Sequence, residues 1–509
     1  MSITIDMLNE SQRNAVDWND GPMLVLAGPG SGKTAVLTLR IANLIQNSPE
    51  DSYRILGLTF TVKAANEMES RIGELLGEHT KRVQLNTFHS FCAGLLRQHG
   101  SHLGLRPDFS VITDDKDRVA VLKKLRDTGA LEIENPEDTL KKIDLMFTHG
   151  INAEELSGRC KEGQEKFCRR LQAIFEQYMD RLIKENQLDF NSMLHFTRQL
   201  LESMPRVARQ VRTVFRYICV DEFQDTNLAQ YKVLRLIVPD ADANLFVVAD
   251  DDQIIFQWNG ADPKRLEELK NDYQPKIIQL PENYRCPAQV VEIANRLIAH
   301  NPDRAATKSA SVARKRGDGA IQLEQYANLD AEISGLVDEI EAIPANRRET
   351  CLVIARSNKL LVQIKQAMEL RSIKAEIAKK QQDFASPLIL LLYYTLKLTN
   401  APDSRSVLNK LCSAASLVNG ITVSAEEVVA KSEVEEIPRI QAFFSIASTS
   451  QLLKAFTEKG MAYSGTSMNY GTFVEQSLQI FDALNARDDG DDAYPDYQDD
   501  KSNWLRIAR

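Results

Sequence analysis

The chain has 509 residues, a formal net charge of −9, 43% hydrophobic and 26% charged side chains. That length calls for roughly three to four domains, each able to bury its own core, in a soluble globular protein without the ~18 to 20 residue apolar run that a membrane span needs. The negative balance excludes a global electrostatic pull toward nucleic acid, so any polynucleotide contact has to be a local groove.

In chain order, the apolar run Met23-Leu24-Val25-Leu26 predicts a strand that opens into Ala27-Gly28-Pro29-Gly30-Ser31-Gly32-Lys33-Thr34, followed by a helix over 35–45. Strand, glycine-rich loop and helix in this order cradle a nucleoside triphosphate, ATP or GTP. The glycines let backbone N–H groups converge on the β-phosphate, Lys33 adds a point charge, and the Thr34 hydroxyl is suited to Mg²⁺. Ala27 stands where the general pattern has its first glycine, a change small enough for the turn to survive.

Further strands are predicted over 55–60, 83–87, 217–220, 245–249 and 277–280, with helical periodicity between most of them. That alternation argues for an α/β, doubly wound parallel sheet that binds ligands at its C-terminal strand ends. The interval 105–210, with Lys123-Lys124 and Lys141-Lys142, has hardly any strand signal and reads as a helical insertion between two halves of one sheet. The first domain then comprises residues 1–104 and 211–280.

After the strand at 217–220 come Asp221-Glu222-Phe223-Gln224-Asp225. Asp221 is suited to holding Mg²⁺ and Glu222 to orienting and deprotonating the attacking water, the positioning that phosphoryl transfer needs. One strand on, Gln253 of Asp250-Asp251-Asp252-Gln253 is a neutral amide placed to sense a γ-phosphate. Phe256 and Trp258 follow, rings that either stack on unpaired bases or belong to an ordinary core.

A second α/β pattern begins after Pro281, with strands expected over 321–326 and 351–355 and helices over 330–340 and 358–370, giving a domain over 281–378. The remainder, 379–509, reads as helical (387–397, 404–412, 451–459 and 504–509), interrupted by the acidic segment Asp488-Asp489-Gly490-Asp491-Asp492, a solvated linker. Seven scattered cysteines show no paired spacing, and the first ten residues carry no basic-then-apolar export signal, so a reducing cytoplasm is expected.

Together these segments resemble superfamily 1 DNA helicases of the UvrD, Rep and PcrA kind. Leu8-Asn9-Glu10-Ser11-Gln12 resembles the adenine-reading Q motif, residues 58–65 motif Ia, Thr87-Phe88-His89-Ser90-Phe91 motif Ib, residues 221–227 motif II, residues 251–261 motif III and Asn283-Tyr284-Arg285 motif IV. The resemblance runs from about residue 5 to 400. It implies a RecA-like P-loop nucleotidase domain with a helical insertion, plus a partial second RecA-like domain with its own helical insertion. It further implies that Gln12 hydrogen-bonds adenine, that Tyr284 and Arg40 flank the base, and that Arg285 reaches the γ-phosphate. Phe60, Lys63, His89, Phe190, Phe256 and Trp258 would line a track for single-stranded DNA, with 3′→5′ movement driven by ATP and Mg²⁺. Other readings stay open for some of these: Phe60 as sheet core, Asp189 beside Phe190 as a helix cap, His89 as a satisfied buried imidazole.

The chain also departs from the family pattern. Asn259 replaces the arginine usual after the motif III tryptophan, and Val62 replaces the asparagine of motif Ia. No segment matches motif V or the arginine-bearing motif VI. Two readings follow: a DNA helicase or translocase, or a truncated or split chain that binds nucleotide and DNA but needs a partner or its missing half for activity.

Overall fold

In the computed structural model, which describes residues 5–18, 20–47, 53–129, 131–158, 160–301, 308–315, 317, 319–377, 386–400, 402, 405–419, 423–447, 451–464, 470–485, 497 and 501, the six apolar runs of the first domain pair into one parallel sheet. β1 (Met23–Ala27), β2 (Arg54–Thr59) and β3 (Val83–Thr87) precede the insertion, and β4 (Ser110–Ile112) and β5 (Gln187–Asp189) lie within it. β6 (Phe215–Val220), β7 (Leu245–Ala249) and β8 (Lys276–Leu280) follow, then the short β9 (Glu282–Asn283) and β10 (Val312–Ala313).

The sheet order is β3-β2-β6-β7-β1-β8, with every pair parallel. β1 is buried at all its positions because the sheet is covered on both faces. Alternation along it divides the load. Leu24 and Leu26 join the core shared with the helix Phe88–His99 and the insertion, whereas Met23, Val25 and Ala27 join the core under the helices Lys33–Gln46 and Val62–Leu76. Since β6, β7 and β1 are consecutive neighbours, whatever follows each of them meets at one rim of the sheet.

The insertion is helical as expected, with helices at Asp115–Asp127, Pro136–Thr148, Glu165–Lys184, Phe190–Ser203 and Pro205–Val214. It also holds a parallel pair, β4 with β5, too short for sequence alternation to register. Cys160 and Cys168 are disulfide-bonded with Cα atoms 6.3 Å apart, contrary to the expectation of unpaired cysteines. The first turn of the helix Glu165–Lys184 folds Cys168 back over the turn at Lys161 to Gln164.

The described chain forms two compact units, 1–321 and 322–509, so the described residues of 281–321 group with the first sheet. In the second unit the helices Leu329–Ala342 and Asn358–Leu370 form around Val337, Ile340 and Met368. The two strands expected over 321–326 and 351–355 are not formed. Both segments run without a ladder partner among the described residues, and Leu323, Leu352 and Ile354 are more than four-fifths exposed. Six further helices, from Pro387–Asn400 to Tyr470–Asn485, enclose a separate core rich in Phe443, Phe444, Phe456, Phe473 and Phe481. The acidic segment at 488–492 and the helix expected over 504–509 lie outside the described residues. No described helix is long and apolar enough to cross a membrane.

Candidate active site

β1 delivers the chain from buried Ala27 into the loop Gly28-Pro29-Gly30-Ser31-Gly32, which needs glycine at two places for backbone reasons. Gly30 and Gly32 have φ of +70° and +86°, and a Cβ on Gly30 would lie 2.6 Å from that of Arg285. The helix Lys33–Gln46 starts at Gly32 with no side-chain cap, so its first N–H groups and the positive end of its dipole are left for an anion. Ser31 Oγ ties the loop by donating to the Gly28 carbonyl at 2.7 Å.

Lys33 is buried, with Nζ 3.5 Å from Glu222 Oε2 and 3.6 Å from Asp250 Oδ2. Asp221 directly follows β6 and is buried; its Oδ1 accepts from the Glu222 N–H at 3.1 Å. Glu222 occupies the left-handed region at φ +48°, a conformation costing a non-glycine residue about 1 to 3 kcal/mol that recurs where a side chain must be aimed. Gln224 braces it, donating to Glu222 Oε2 at 2.7 Å while its own carbonyl accepts from the Asp250 N–H at 2.9 Å. Gln253 donates to Asp250 Oδ2 at 2.6 Å. Thus Lys33, Asp221, Glu222 and Gln253, predicted from three separate segments, converge on one rim.

Negative charge is in excess here. Burial, then the neighbouring Glu222 carboxylate, pushes Asp221 and Asp225 up to about 7 against the opposing pull of Lys33. Asp225 Oδ1 is buried without a hydrogen-bond partner. Crowded, desolvated carboxylates facing a helix N-terminus fit a divalent cation arriving with a polyphosphate. Asp221 and Thr34 would hold Mg²⁺, which when bound supplies charge neutralisation at the phosphates.

The base-recognition residues divide. Gln12 caps its own helix reciprocally with Asn9; its Oε1 accepts from the Asn9 N–H at 3.0 Å and its Nε2 donates one hydrogen to the Ser31 carbonyl at 2.9 Å, leaving a second. Asn9 also donates to the Tyr284 hydroxyl at 2.9 Å, which brings Gln12 and exposed Tyr284 to one edge of the loop. Arg40 is not there. It is buried two turns along the helix, donating to the Val16 carbonyl at 3.1 Å and lying over the Phe246 ring. It lines a small cavity with Tyr217, Asn244 and Leu245, at the end of β7 opposite the loop, so it cannot flank a base bound beside Tyr284. Its role beside the base was implied by the family resemblance alone, and the helix Lys33–Gln46 instead turns it inward, toward Val16 and Phe246.

Arg285 is exposed, its backbone N–H donating to Asn283 Oδ1 at 2.9 Å. Asn283 in turn donates to the Pro29 carbonyl at 2.7 Å, and the Tyr284 N–H donates to that of Gly30 at 2.9 Å, pinning this segment onto the loop. Sequence reasoning named Asn283 only as part of a motif. It missed Lys308 altogether, whose ammonium is within hydrogen-bond reach of Asp250, Asp251 and Asp252. A single lysine in an Ala-, Ser- and Lys-rich stretch carries no signal.

Along the same rim, Phe60 and Phe256 have ring centroids 5.0 Å apart, and Phe256 and Trp258 6.0 Å apart. Trp258 is 81% exposed, which removes the core reading for that ring. Lys63 is exposed at the start of the helix Val62–Leu76. His89 and Phe190 meet edge-to-face at 5.5 Å, and burial holds the His89 imidazole down at about 4, neutral at pH 7. Asp189 is indeed the cap of the helix that follows, accepting from the Ser192 N–H at 2.7 Å, which orients half-exposed Phe190.

Residues 8–274, just over half of the chain, match the model of the UvrD/REP helicase N-terminal domain. This chain belongs to the UvrD/REP helicase family. Residues 278–458 match the UvrD-like helicase C-terminal domain. Among curated relatives, the chain is 35% identical to the ATP-dependent DNA helicase PcrA of Staphylococcus epidermidis over 346 residues, 67% of this chain and 46% of that protein. It is likewise 35% identical to the PcrA of Staphylococcus aureus over 310 residues, 60% of this chain and 41% of that protein. The chain thus spans about half the length of the curated relatives it matches.

Proposed function

We propose that this UvrD/REP family chain is an ATP-dependent DNA translocase or helicase that couples ATP hydrolysis to 3′→5′ movement on single-stranded DNA. The observation that carries the reading is the shared rim: the phosphate loop, the Asp221–Glu222 pair and Gln253 lie on consecutive strands whose continuation, Phe256 and Trp258, forms the aromatic ladder. A change at the nucleotide is therefore felt within a few residues of the DNA-stacking rings. The relatives' printed name, ATP-dependent DNA helicase, supports the substrate pair.

In this reading the loop N–H groups and Lys33 bind the β- and γ-phosphates, and Glu222, aimed by its left-handed backbone and by Gln224, orients the attacking water and takes its proton. Gln253 reports the γ-phosphate to the turn that carries Phe256. Arg285, without an ion pair among the described residues, is free to approach the phosphates. Tyr284 supports one face of adenine, and the second N–H of Gln12 reads its edge. Phe60, Lys63, His89, Phe190, Phe256 and Trp258 hold the strand by stacking, which suits every base, and by one cation. We read residues 281–378 as the opening of a second RecA-like domain whose first part, up to residue 321, groups with the first compact unit.

The exposed Leu323, Leu352 and Ile354 favour a second reading, in which full turnover requires a covering surface on the second unit from further polypeptide or a protein partner. The ATPase rate of the chain alone, with and without oligo(dT), tests both. DNA stimulation that vanishes in Lys33→Ala supports the first reading. A rate equal in the parent and in Lys33→Ala refutes the nucleotide site.

A further inference from the structure

The Lys33 ammonium has three N–H donors, so bridging the β- and γ-phosphates leaves one for the two carboxylates beside it. With Nζ placed between Glu222 and Asp250, it has to give up Asp250 when phosphates arrive, and Asp250 has a fully buried side chain. A buried carboxylate left without a cation is costly, so some second charge has to remain. Asp250 has one. Lys308 Nζ lies 2.7 Å from Asp250 Oδ1 and 2.8 Å from Asp252 Oδ2, and it also contacts Asp251 Oδ1, with only 7% of its side chain exposed. Among the described residues these three aspartates are the set of three carboxylates close enough together to share one cation, and the cation they share is this ammonium.

Lys308 is not a loose surface lysine. The Ser309 N–H donates to Gln279 Oε1 at 2.8 Å, Ser311 exchanges hydrogen bonds with Asn295 at 3.0 and 2.8 Å, and the Val312 N–H donates to the Pro281 carbonyl at 2.8 Å. The segment is thereby fixed beside the phosphate loop, where a Cβ on Gly28 would come within 3.0 Å of Ser311 Oγ. It leads into β10 beside β8, the edge strand next to the loop-bearing β1.

We propose that Lys308 is a positioning residue for nucleotide binding: it is the counter-charge that lets Asp250 release Lys33 to the triphosphate while keeping Gln253 in place. This rests on the nucleotide-site reading above. Without Lys308, three carboxylates beside Gln253 retain Lys33 and repel the polyphosphate, so binding suffers more than the chemical step.

The test is titration of the full chain with the fluorescent analogue mant-ATP and Mg²⁺, alongside steady-state ATPase. Lys308→Met weakens mant-ATP binding at least tenfold and raises KM more than it lowers kcat. Lys308→Arg retains most of the affinity, and adding Asp251→Asn to Lys308→Met recovers most of what was lost, a rescue by charge that a merely structural role would not give. Should Lys308→Met fail to fold, Asp251→Asn alone in the parental chain is expected to tighten mant-ATP binding severalfold, and unchanged or weaker binding overturns the proposal. Parental affinity in folded Lys308→Met, or no rescue by Asp251→Asn, also overturns it while leaving the nucleotide site standing. A parental chain that binds no mant-ATP overturns the nucleotide site itself.

Discussion

Replacing Asp221 by asparagine should make the nucleotide-free protein more stable at alkaline pH, although it removes a residue assigned to the reaction. The carboxyl is held near 7 against an ordinary value of 3.8, chiefly by burial and then by Glu222. A difference of about three pH units at ~1.4 kcal/mol each sets an upper bound of about 4 kcal/mol, which relaxation and coupling to Glu222 reduce to about 2 to 4. The sign follows from proton binding. Between 3.8 and about 7 the folded state binds the proton that the unfolded state has lost, so folding stability falls as pH rises through that window and the full penalty is present above it. Asparagine keeps an oxygen to accept from the Glu222 N–H and never ionises, so it escapes the penalty. Urea unfolding without nucleotide or Mg²⁺, followed by tryptophan fluorescence, should place Asp221→Asn above the parent by about 2 to 4 kcal/mol at pH 8, with the gap closing toward pH 4. Mg²⁺ and ATP should then stabilise the parent more than the variant. A variant equal to or less stable than the parent at pH 8 without ligand refutes the reasoning.

Trp258→Ala should weaken oligo(dT) binding by about 1 to 3 kcal/mol in fluorescence anisotropy with urea stability unchanged, because the ring is exposed; unaltered affinity removes it from the track. Gly30→Ala meets both a positive φ and the Arg285 Cβ, so it should cost about 1 to 3 kcal/mol in urea unfolding and weaken mant-ATP binding, and a silent substitution would contradict the close approach. Arg118→Met leaves buried Asp189 without the guanidinium 3.1 Å away, retaining only the Tyr178 hydroxyl at 2.7 Å and its capping bonds. A loss of about 3 to 5 kcal/mol is expected in the unfolding of the N-terminal unit, and less than 1 kcal/mol would show the pair to be solvated.

Legibility in the sequence followed the range of the interaction. The six strands of the first sheet were readable because each is a short run rich in β-branched residues or leucine ending in a polar or glycine-rich turn, buried throughout in β1 and β7 and only in part at the edge strands β3 and β8. Lys33, Asp221, Glu222 and Gln253 were readable because each sits at a strand end, where topology alone brings them together. Segments 321–326 and 351–355 have strand-like composition but no neighbour to pair with among the described residues, and a strand is a property of a pair. Arg40 shows the limit of a carried-over role: the resemblance put it beside the base, yet Val16 and Phe246 claim the guanidinium at the far end of the sheet. Lys308 reaches Asp250 across 58 residues, and the cystine closes through a turn geometry; neither contact leaves a periodic trace.

The central claim is that nucleotide and unpaired DNA are thermodynamically linked through the rim that carries Lys33, Gln253 and Trp258. The direct measurement is the mant-ATP dissociation constant with and without saturating oligo(dT), paired with the reciprocal oligo(dT) titration with and without nucleotide. The account predicts a change of about fivefold or more, equal in both directions as linkage requires, and its loss in Trp258→Ala. Dissociation constants that are the same in all four titrations would contradict it.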